Sequence, residues 1–487
     1  MPSHKRQPRR NDKPNNRMGK GKAAVVQHPS PFAWSPFGKP DSPASKRFAR
    51  LMQALTDWLG GINKRELAAT AMELSTALAQ HRGATVRRGY YDDEMLVSAY
   101  CAHFLPWNVY RLAYAWKASP PAVFAQLSDR PPEVVEGKQP PQAPLVEDWG
   151  AGPLVGLLAL WVVTGINSRS MMYRAVERNA DILHAGLDIA KALGIDKLCD
   201  IETIAEDIDL EAPAFGERRA DLMIVSQSFN EWLPIRGRST EEIRAFTKAS
   251  LSRIHKGGEL FVMEPASRIV SWGVMELRNA MREASRRILA PCTHYEACPL
   301  LDPRTKSWCH FRHPVEVHDR HAQLIKDFGL IELIKDTVSY SYLHIQHAHF
   351  NDQRAPVVAQ AYRDAISLHT PEQRPNREVQ APPTAKVEAL SPARVLSDPI
   401  RVKTGMGIYV CGPEGRLQVD TQASRWPRHV RTALRQNHIV LYPFPRSPFR
   451  DEKSRAVRIK LGDCVLPALA QDDLRDLLES RGDERER

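Results

Sequence analysis

Apolar positions recur at helical spacing from residue 45: SKRFARLMQALTDWL sets Phe48, Leu51, Met52 and Leu55 on one face, and the pattern continues to about Trp116. It predicts a helical domain over residues 44–127, closed by the polar, Pro-rich linker SDRPPEVVEGKQPPQAP at 128–144. The period then changes. Short apolar runs (VEDW, MYRAVE, DLMIVSQ, ELFVME, YSYLHI) alternate with helical stretches over residues 145–369, which predicts an α/β domain with a parallel sheet covered by helices. A second Pro-rich linker at 370–393 precedes the runs GIYVCG, HIVLYPF and AVRIKLG, read as a small β-rich module over 394–470. Residues 471–487 close the chain as a polar, solvated tail. The longest apolar run, residues 154–163, falls well short of the roughly 18–20 residues that cross a bilayer, so no membrane partner is expected.

Composition adds a location for the charge. The 487 residues exceed what one core usually organises, and 43% hydrophobic content excludes global disorder. Residues 1–50 hold twelve Lys or Arg against Asp12 and Asp41, while the remainder balances 56 against 55, so the net +11 is largely a tail. Residues 1–43 read as a disordered basic arm, lacking both the apolar stretch of a secretory signal and the pattern of an amphipathic transit helix. Clustered cations displace counterions from phosphates, which points the arm at RNA. In the C-terminal module Arg425, Arg428, Arg431, Arg435, Arg446, Arg450, Arg455 and Arg458 are interleaved with Trp426, Tyr442, Phe444 and Phe449, a second RNA-binding pattern.

LVEDWGAGPLVGLLAL (residues 145–160) places a strand, then Asp148, Gly150 and Gly152, then an apolar helix. At the carboxyl end of a parallel strand, glycines let backbone approach a ligand closely. The next strand ends in Glu177, where a carboxylate can accept from two ribose hydroxyls. A dinucleotide fingerprint starting at Gly150 needs a third glycine where Val155 stands, so S-adenosylmethionine is the favoured cofactor. The loop resembles the first motif of class I methyltransferases, with Asp207 a further candidate near the adenine. ADLMIVSQSFNEWLP (220–234) is the expected fourth strand and substrate edge. It lacks the Asn/Asp-Pro-Pro-Tyr that orients a base amine, leaving Asn230 and Glu231 as candidates to orient a substrate or cofactor amine. Methyl transfer depends mainly on alignment, so catalytic residues stay unassigned.

Seven cysteines and no secretory signal argue for a reducing compartment. Cys292, Cys298 and Cys309 cluster in PCTHYEACPLLDPRTKSWCHF, a Pro-punctuated polar loop that reads as a metal site. The fourth ligand is open: His294, His310 or His313 would complete a zinc site, whereas Cys411 in YVCGPEG would make an all-thiolate site suited to an iron–sulfur cluster. Pro291-Cys292 is similar to the nucleophile motif of cytosine-5 methyltransferases but follows the fifth strand instead of the fourth. In HIQHAHF, His347 and His349 share one side of a strand and read as an exposed strand face.

CTHYEACPLL, WCHF, VCGPEGRL and the Asp148–Pro153 loop together resemble the methyltransferase-like small-ribosomal-subunit assembly family of bacteria and mitochondria. The segment YYDDEMLVSAYCAHFLPWNVYRLAYAW (90–116) looks like that family's helical stretch, and the likeness runs from about residue 85 to 465. The resemblance implies a class I methyltransferase (Rossmann-like) fold and a 4Fe-4S cluster on Cys292, Cys298, Cys309 and Cys411. It also implies action on the small ribosomal subunit and its rRNA, in a bacterial-type cytoplasm or, alternatively, the mitochondrial matrix. LGDCVLP (461–467) is a loose match, leaving Cys464 without a role. The expected protein is a monomeric methyltransferase or methyltransferase-like factor; the rival is a non-catalytic RNA-binding assembly factor with a structural zinc or iron–sulfur site.

Overall fold

A computed structural model describes residues 35–80, 93–119, 143–166, 171–213, 215–233, 240–302, 307–349, 390–402, 405–421, 439–443, 457–460 and 464. Residues 1–34, nearly all of both linkers, seven of the eight C-terminal arginines (Arg458 excepted) and the tail lie outside them.

Three helices come first: α1 (Pro43–Trp58), α2 (Lys64–Gln80) and α3 (Glu94–Lys117). Ser42 caps α1 by accepting from the Ser45 N–H at 3.2 Å, with Pro43 in the first turn, where a missing N–H costs nothing. Asp93 caps α3 likewise, accepting from the Leu96 N–H at 2.8 Å. α3 is buried nearly all round, as a helix apolar on every face must be. The packed region also reaches back before the expected boundary at residue 43: Phe37 is buried and stacks on Phe48 at 4.2 Å.

The main sheet contains β1 (Leu145–Trp149), β2 (Met172–Val176), β3 (Asp200–Ile204), β4 (Ala220–Ser226), β5 (Ile254–Glu264), β6 (Arg286–Ala290) and β8 (Thr337–His349) in the order β3-β2-β1-β4-β5-β8-β6. β3, β2, β1, β4 and β5 run parallel; β8 is antiparallel to both β5 and β6, and the short β7 (Phe311–Pro314) pairs with its first half. Helices α4 (Val155–Thr164), α5 (Ala180–Ala192), α6 (Thr240–Arg253), α7 (Arg268–Glu283) and α8 (Asp319–Asp327) complete the domain. α1 to α5 and α8 contribute to one apolar core, and α6 and α7 to the one on the sheet's other face. β1 carries a buried charge inside its apolar run: Glu147 accepts from Arg174 Nη1 at 3.1 Å, Arg253 Nη2 at 2.7 Å and Trp149 Nε1 at 2.9 Å. Removing one partner from such a buried set costs about 3–5 kcal/mol.

Six C-terminal strands, β9 (Leu390–Val395), β10 (Ile400–Val402), β11 (Gly405–Gly412), β12 (Gly415–Thr421), β13 (Ile439–Pro443) and β14 (Val457–Lys460), form a second sheet with its own core. It starts at Leu390, a few residues inside the range read as linker. Arg394 Nε donates to the Pro291 carbonyl at 2.7 Å, Arg416 Nη1 to Ser307 Oγ at 2.7 Å and Thr293 Oγ1 to the Cys411 carbonyl at 3.4 Å, joining this sheet to the cysteine loop.

Candidate functional site

The carboxyl ends of the parallel strands surround a cavity of about 320 Å³. Asp148, Gly150, Gly152, Glu177, Asp207 and Glu231 all line it, so residues separated by up to 83 positions meet in one place. Asn230 does not line it: its Nδ2 donates to the Gln227 carbonyl at 2.9 Å and to Glu264 Oε2 at 2.6 Å, which spends the amide on the loop itself.

The loop after β1 needs glycine for two separate reasons. Gly150 has φ +68°, and a Cβ there would stand 2.3 Å from Ser228 Cβ, whose hydroxyl donates to the Trp149 carbonyl at 2.7 Å. Gly152 has φ +50° and donates its N–H to Glu177 Oε2 at 3.1 Å. The next left-handed residue is Leu154, φ +55°, an uncommon conformation for a bulky side chain. Gly156 then lets α4 settle over Asp148, since a Cβ would lie 2.5 Å from Asp148 Oδ2.

Both acids are shaped by burial. Asp148 is fully buried; its Oδ2 accepts from the Tyr173 hydroxyl, and its Oδ1 is buried without a partner. Burial pushes its pKa up to about 7, the Glu177 charge adding and the Tyr173 and Gly156 donors opposing. Glu177 is likewise pushed up to about 7 by burial, with Glu231 adding and the Asn179 and Gly152 N–H groups opposing. Each Glu177 oxygen keeps a lone pair beyond those backbone donors, enough for a diol.

α3 closes the cavity with Tyr100 and Asn108, whose amide donates to the Tyr100 hydroxyl at 3.4 Å while Asn108 Oδ1 accepts from Arg111. Sequence reasoning missed Tyr100, Asn108, Ser228 and Trp232 because nothing in their spacing marks them; only folding brings α3 over the glycine loop.

The cysteines form a second centre. Cys292, Cys298, Cys309 and Cys411 lie close enough that burial and one another's charge push the thiols of Cys298, Cys309 and Cys411 up, Cys298 to about 11. α7 holds the loop with one face: Cys298 N–H donates to Asn279 Oδ1 at 2.9 Å, Cys309 N–H to Met275 Sδ at 3.2 Å and Tyr295 Oη to the Arg282 carbonyl at 2.9 Å. Of the three candidate histidines, His294 reaches Cys411, with Nε2 3.6 Å from Sγ. His310 stacks on Trp308, and His313 stacks on Tyr114 at 4.6 Å and meets the Tyr340 hydroxyl. His347 Nδ1 is engaged by the Ile254 carbonyl at 3.0 Å. Among the described residues no group of three or more His, Cys, Asp or Glu is placed to hold a metal ion. Cys464 packs against the C-terminal core instead of this centre.

A parallel sheet ordered 3-2-1-4-5 and extended by an antiparallel strand inserted before the last, with a glycine loop after β1 and an acid at the end of β2, defines the class I methyltransferase fold. Residues 140–437 match the family described as mitochondrial small ribosomal subunit Rsm22, and the chain belongs to that family. No curated protein matches significantly. Similar solved structures include an O-methyltransferase family protein from Burkholderia thailandensis, at 12% identity over 55% of this chain and 64% of that one, TM-score 0.30. Another is an S-adenosylmethionine-dependent O-methyltransferase from Thermotoga maritima, at 12% identity, 50% and 67% coverage, TM-score 0.28. A third is the precorrin-6y C5,15-methyltransferase from Geobacter metallireducens, at 11% identity, 46% and 85% coverage, TM-score 0.26. No helix among the described residues is long and apolar enough to cross a membrane.

Proposed function

We propose that the protein binds S-adenosylmethionine in the cavity beside Gly150 and Gly152 and acts on the small ribosomal subunit and its rRNA during assembly. The observation that carries this reading is the cavity itself: the unpartnered Asp148 Oδ1 and the Glu177 carboxylate sit at the carboxyl edge of β1 and β2, suited to an ammonium or sulfonium charge and a ribose diol. When bound, the donor supplies an electrophilic methyl group. Glu177 would hold the ribose hydroxyls, Asp207 would serve on the adenine side, and the backbone at Gly150 and Gly152 would admit the methionine part. α3 excludes water above them through Tyr100 and Asn108. The family description supports the ribosomal partner and favours the mitochondrial alternative over a bacterial-type cytoplasm.

The convergence of Cys292, Cys298, Cys309 and Cys411 supports a 4Fe-4S centre over a local zinc site. Four cysteine thiolates are the usual ligand set of a 4Fe-4S cluster, whereas the zinc alternative needs one of the nearby histidines. The cluster would supply a covalent link between the α7 loop and the C-terminal sheet.

Asn230 favours a second reading: with its amide committed to Gln227 and Glu264, the fourth-strand loop offers less than expected for orienting an acceptor base, as in a non-catalytic assembly factor that keeps the donor as a structural ligand. Mapping methylated nucleotides of small-subunit rRNA with and without the protein separates the two. Calorimetric titration of the wild type and of Gly152→Val with S-adenosylmethionine tests the site beneath both; a wild type that binds none removes the donor assignment.

A further inference from the structure

One buried cation near the cysteine centre has no role in the function proposed above. Arg278 lies on α7 and is 2% exposed. Its Nη2 donates to the His294 carbonyl at 2.9 Å and its Nη1 to Asn279 Oδ1 at 3.0 Å, while Nε is buried with no oxygen or nitrogen partner. Asn279 Oδ1 also receives the Cys298 N–H, so the guanidinium and the loop that carries the cysteines share one anchor. Among the described residues no carboxylate pairs with Arg278; its hydrogen bonds go to the cysteine loop and its own helix, and the ionisable groups that bear on its charge are Cys292, Cys298 and Cys411. A guanidinium taken out of water without an anion is expensive, and the surrounding chain keeps its expense only if an anion is present in the working state.

We propose that Arg278 is the counter-cation of the cysteine centre, a positioning residue whose buried charge offsets the net negative charge of four thiolates once they hold a metal group. The proposal rests on the reading of Cys292, Cys298, Cys309 and Cys411 as ligands. The side chain works in two ways from one place. Its charge favours the more negative state of whatever the thiolates hold, and its fork fixes the His294 carbonyl and Asn279, hence the spacing between Cys292 and Cys298. The two parts are separable, since lysine keeps the charge and loses the planar fork, whereas glutamine loses the charge.

The test uses the full chain purified anaerobically, as wild type, Arg278→Gln and Arg278→Lys, each in metal-loaded and metal-free form. The expected signature is a reversal of sign. Arg278→Gln melts at or above the wild-type temperature when metal-free, because an uncompensated buried charge has been removed, and below it when loaded. Loaded Arg278→Gln releases its metal to a chelator about tenfold faster or more, the usual scale for a group that supports ligands from behind. With an iron–sulfur centre reduced by one electron from dithionite, the midpoint potential of Arg278→Gln moves negative, while Arg278→Lys stays near wild type. A merely structural arginine lowers the melting temperature in both forms and leaves the potential unmoved, and that result overturns the proposal. Zinc in place of iron in the wild type refutes the iron–sulfur reading alone; the melting and chelator comparisons then decide Arg278 by the same signs, with wild-type zinc release from Arg278→Gln counting against it.

Discussion

Asp148 and Glu177 share a small buried volume, and their common elevation to about 7 would make binding of the proposed donor a proton-linked event. Burial favours the neutral carboxyl, whereas a ribose diol is best accepted by a carboxylate and a sulfonium is best met by a negative charge. Below pH 7 binding must therefore expel protons, so affinity for S-adenosylmethionine should rise from pH 6 to about pH 7.5 and then level off, by less than tenfold per pH unit for each acid. Glu177→Gln should bind more weakly and show a shallower slope, the remainder belonging to Asp148. Calorimetry in two buffers of different ionisation enthalpy counts the protons released, and an unchanged slope in the variant would show that Glu177 does not titrate on binding. The same two acids act in the opposite sense on folding: with folded values raised, the native state holds protons that the unfolded chain has lost, so their contribution to stability declines from about pH 4 to pH 7.

At the scale of elements, the helices packed on the sheet carry a histidine pair that works the other way. His321 on α8 is fully buried against Trp107 at 4.7 Å and Tyr110 at 5.7 Å, with both ring nitrogens unpartnered. Burial holds it, and His103 on α3, down at about 3, with His318 and Lys335 among the neighbouring charges that add to the effect. Each is neutral when folded and protonated when unfolded below about pH 6.5, so stability is complete above that pH and erodes as it falls toward 3. His321→Phe should raise the melting temperature at pH 7, by removing two unsatisfied buried atoms, and flatten the acid limb; a variant that melts as steeply with acid as the wild type refutes this origin. Such features show where the sequence was legible. β1, β2, β4, β5 and β8 were readable as apolar runs, and the glycine loop by its spacing. β3, DIETI, was not, because its edge position leaves three of five side chains exposed and removes the apolar signal. Tyr100, Asn108 and His321 take their importance from neighbours more than 25 residues away, and Arg278 from a loop 14–20 residues on and from Cys411, none of which a local pattern encodes.

For the whole molecule, the question is what joins its parts to each other and to RNA. Phe37 and the Ser42 cap belong to the packed helices, so truncation at residue 34 and truncation at residue 43 should differ: the first weakens rRNA binding and flattens its salt dependence without changing the melting temperature, the second also destabilises the fold. Identical salt slopes for the wild type and the shorter truncation would remove the arm as a phosphate contact. At the other end, the C-terminal sheet meets the cysteine loop through Arg394, Arg416 and Thr293, and places Cys411 3.6 Å from His294. Those hydrogen bonds are few, and polar pairs of this kind contribute about 0.5–1.5 kcal/mol each. A cluster bound by Cys411 as well as by Cys292, Cys298 and Cys309 would dominate them, since its binding free energy becomes docking free energy for the sheet. Cys411→Ser should then bleach the broad visible absorption of anaerobically purified protein and expose residues 370–393 to proteolysis far more than Arg416→Ala does. If the centre were a local zinc site completed by His294, both variants would be cleaved alike, elemental analysis would find one zinc and no iron in each, and the four-cysteine assignment would fall.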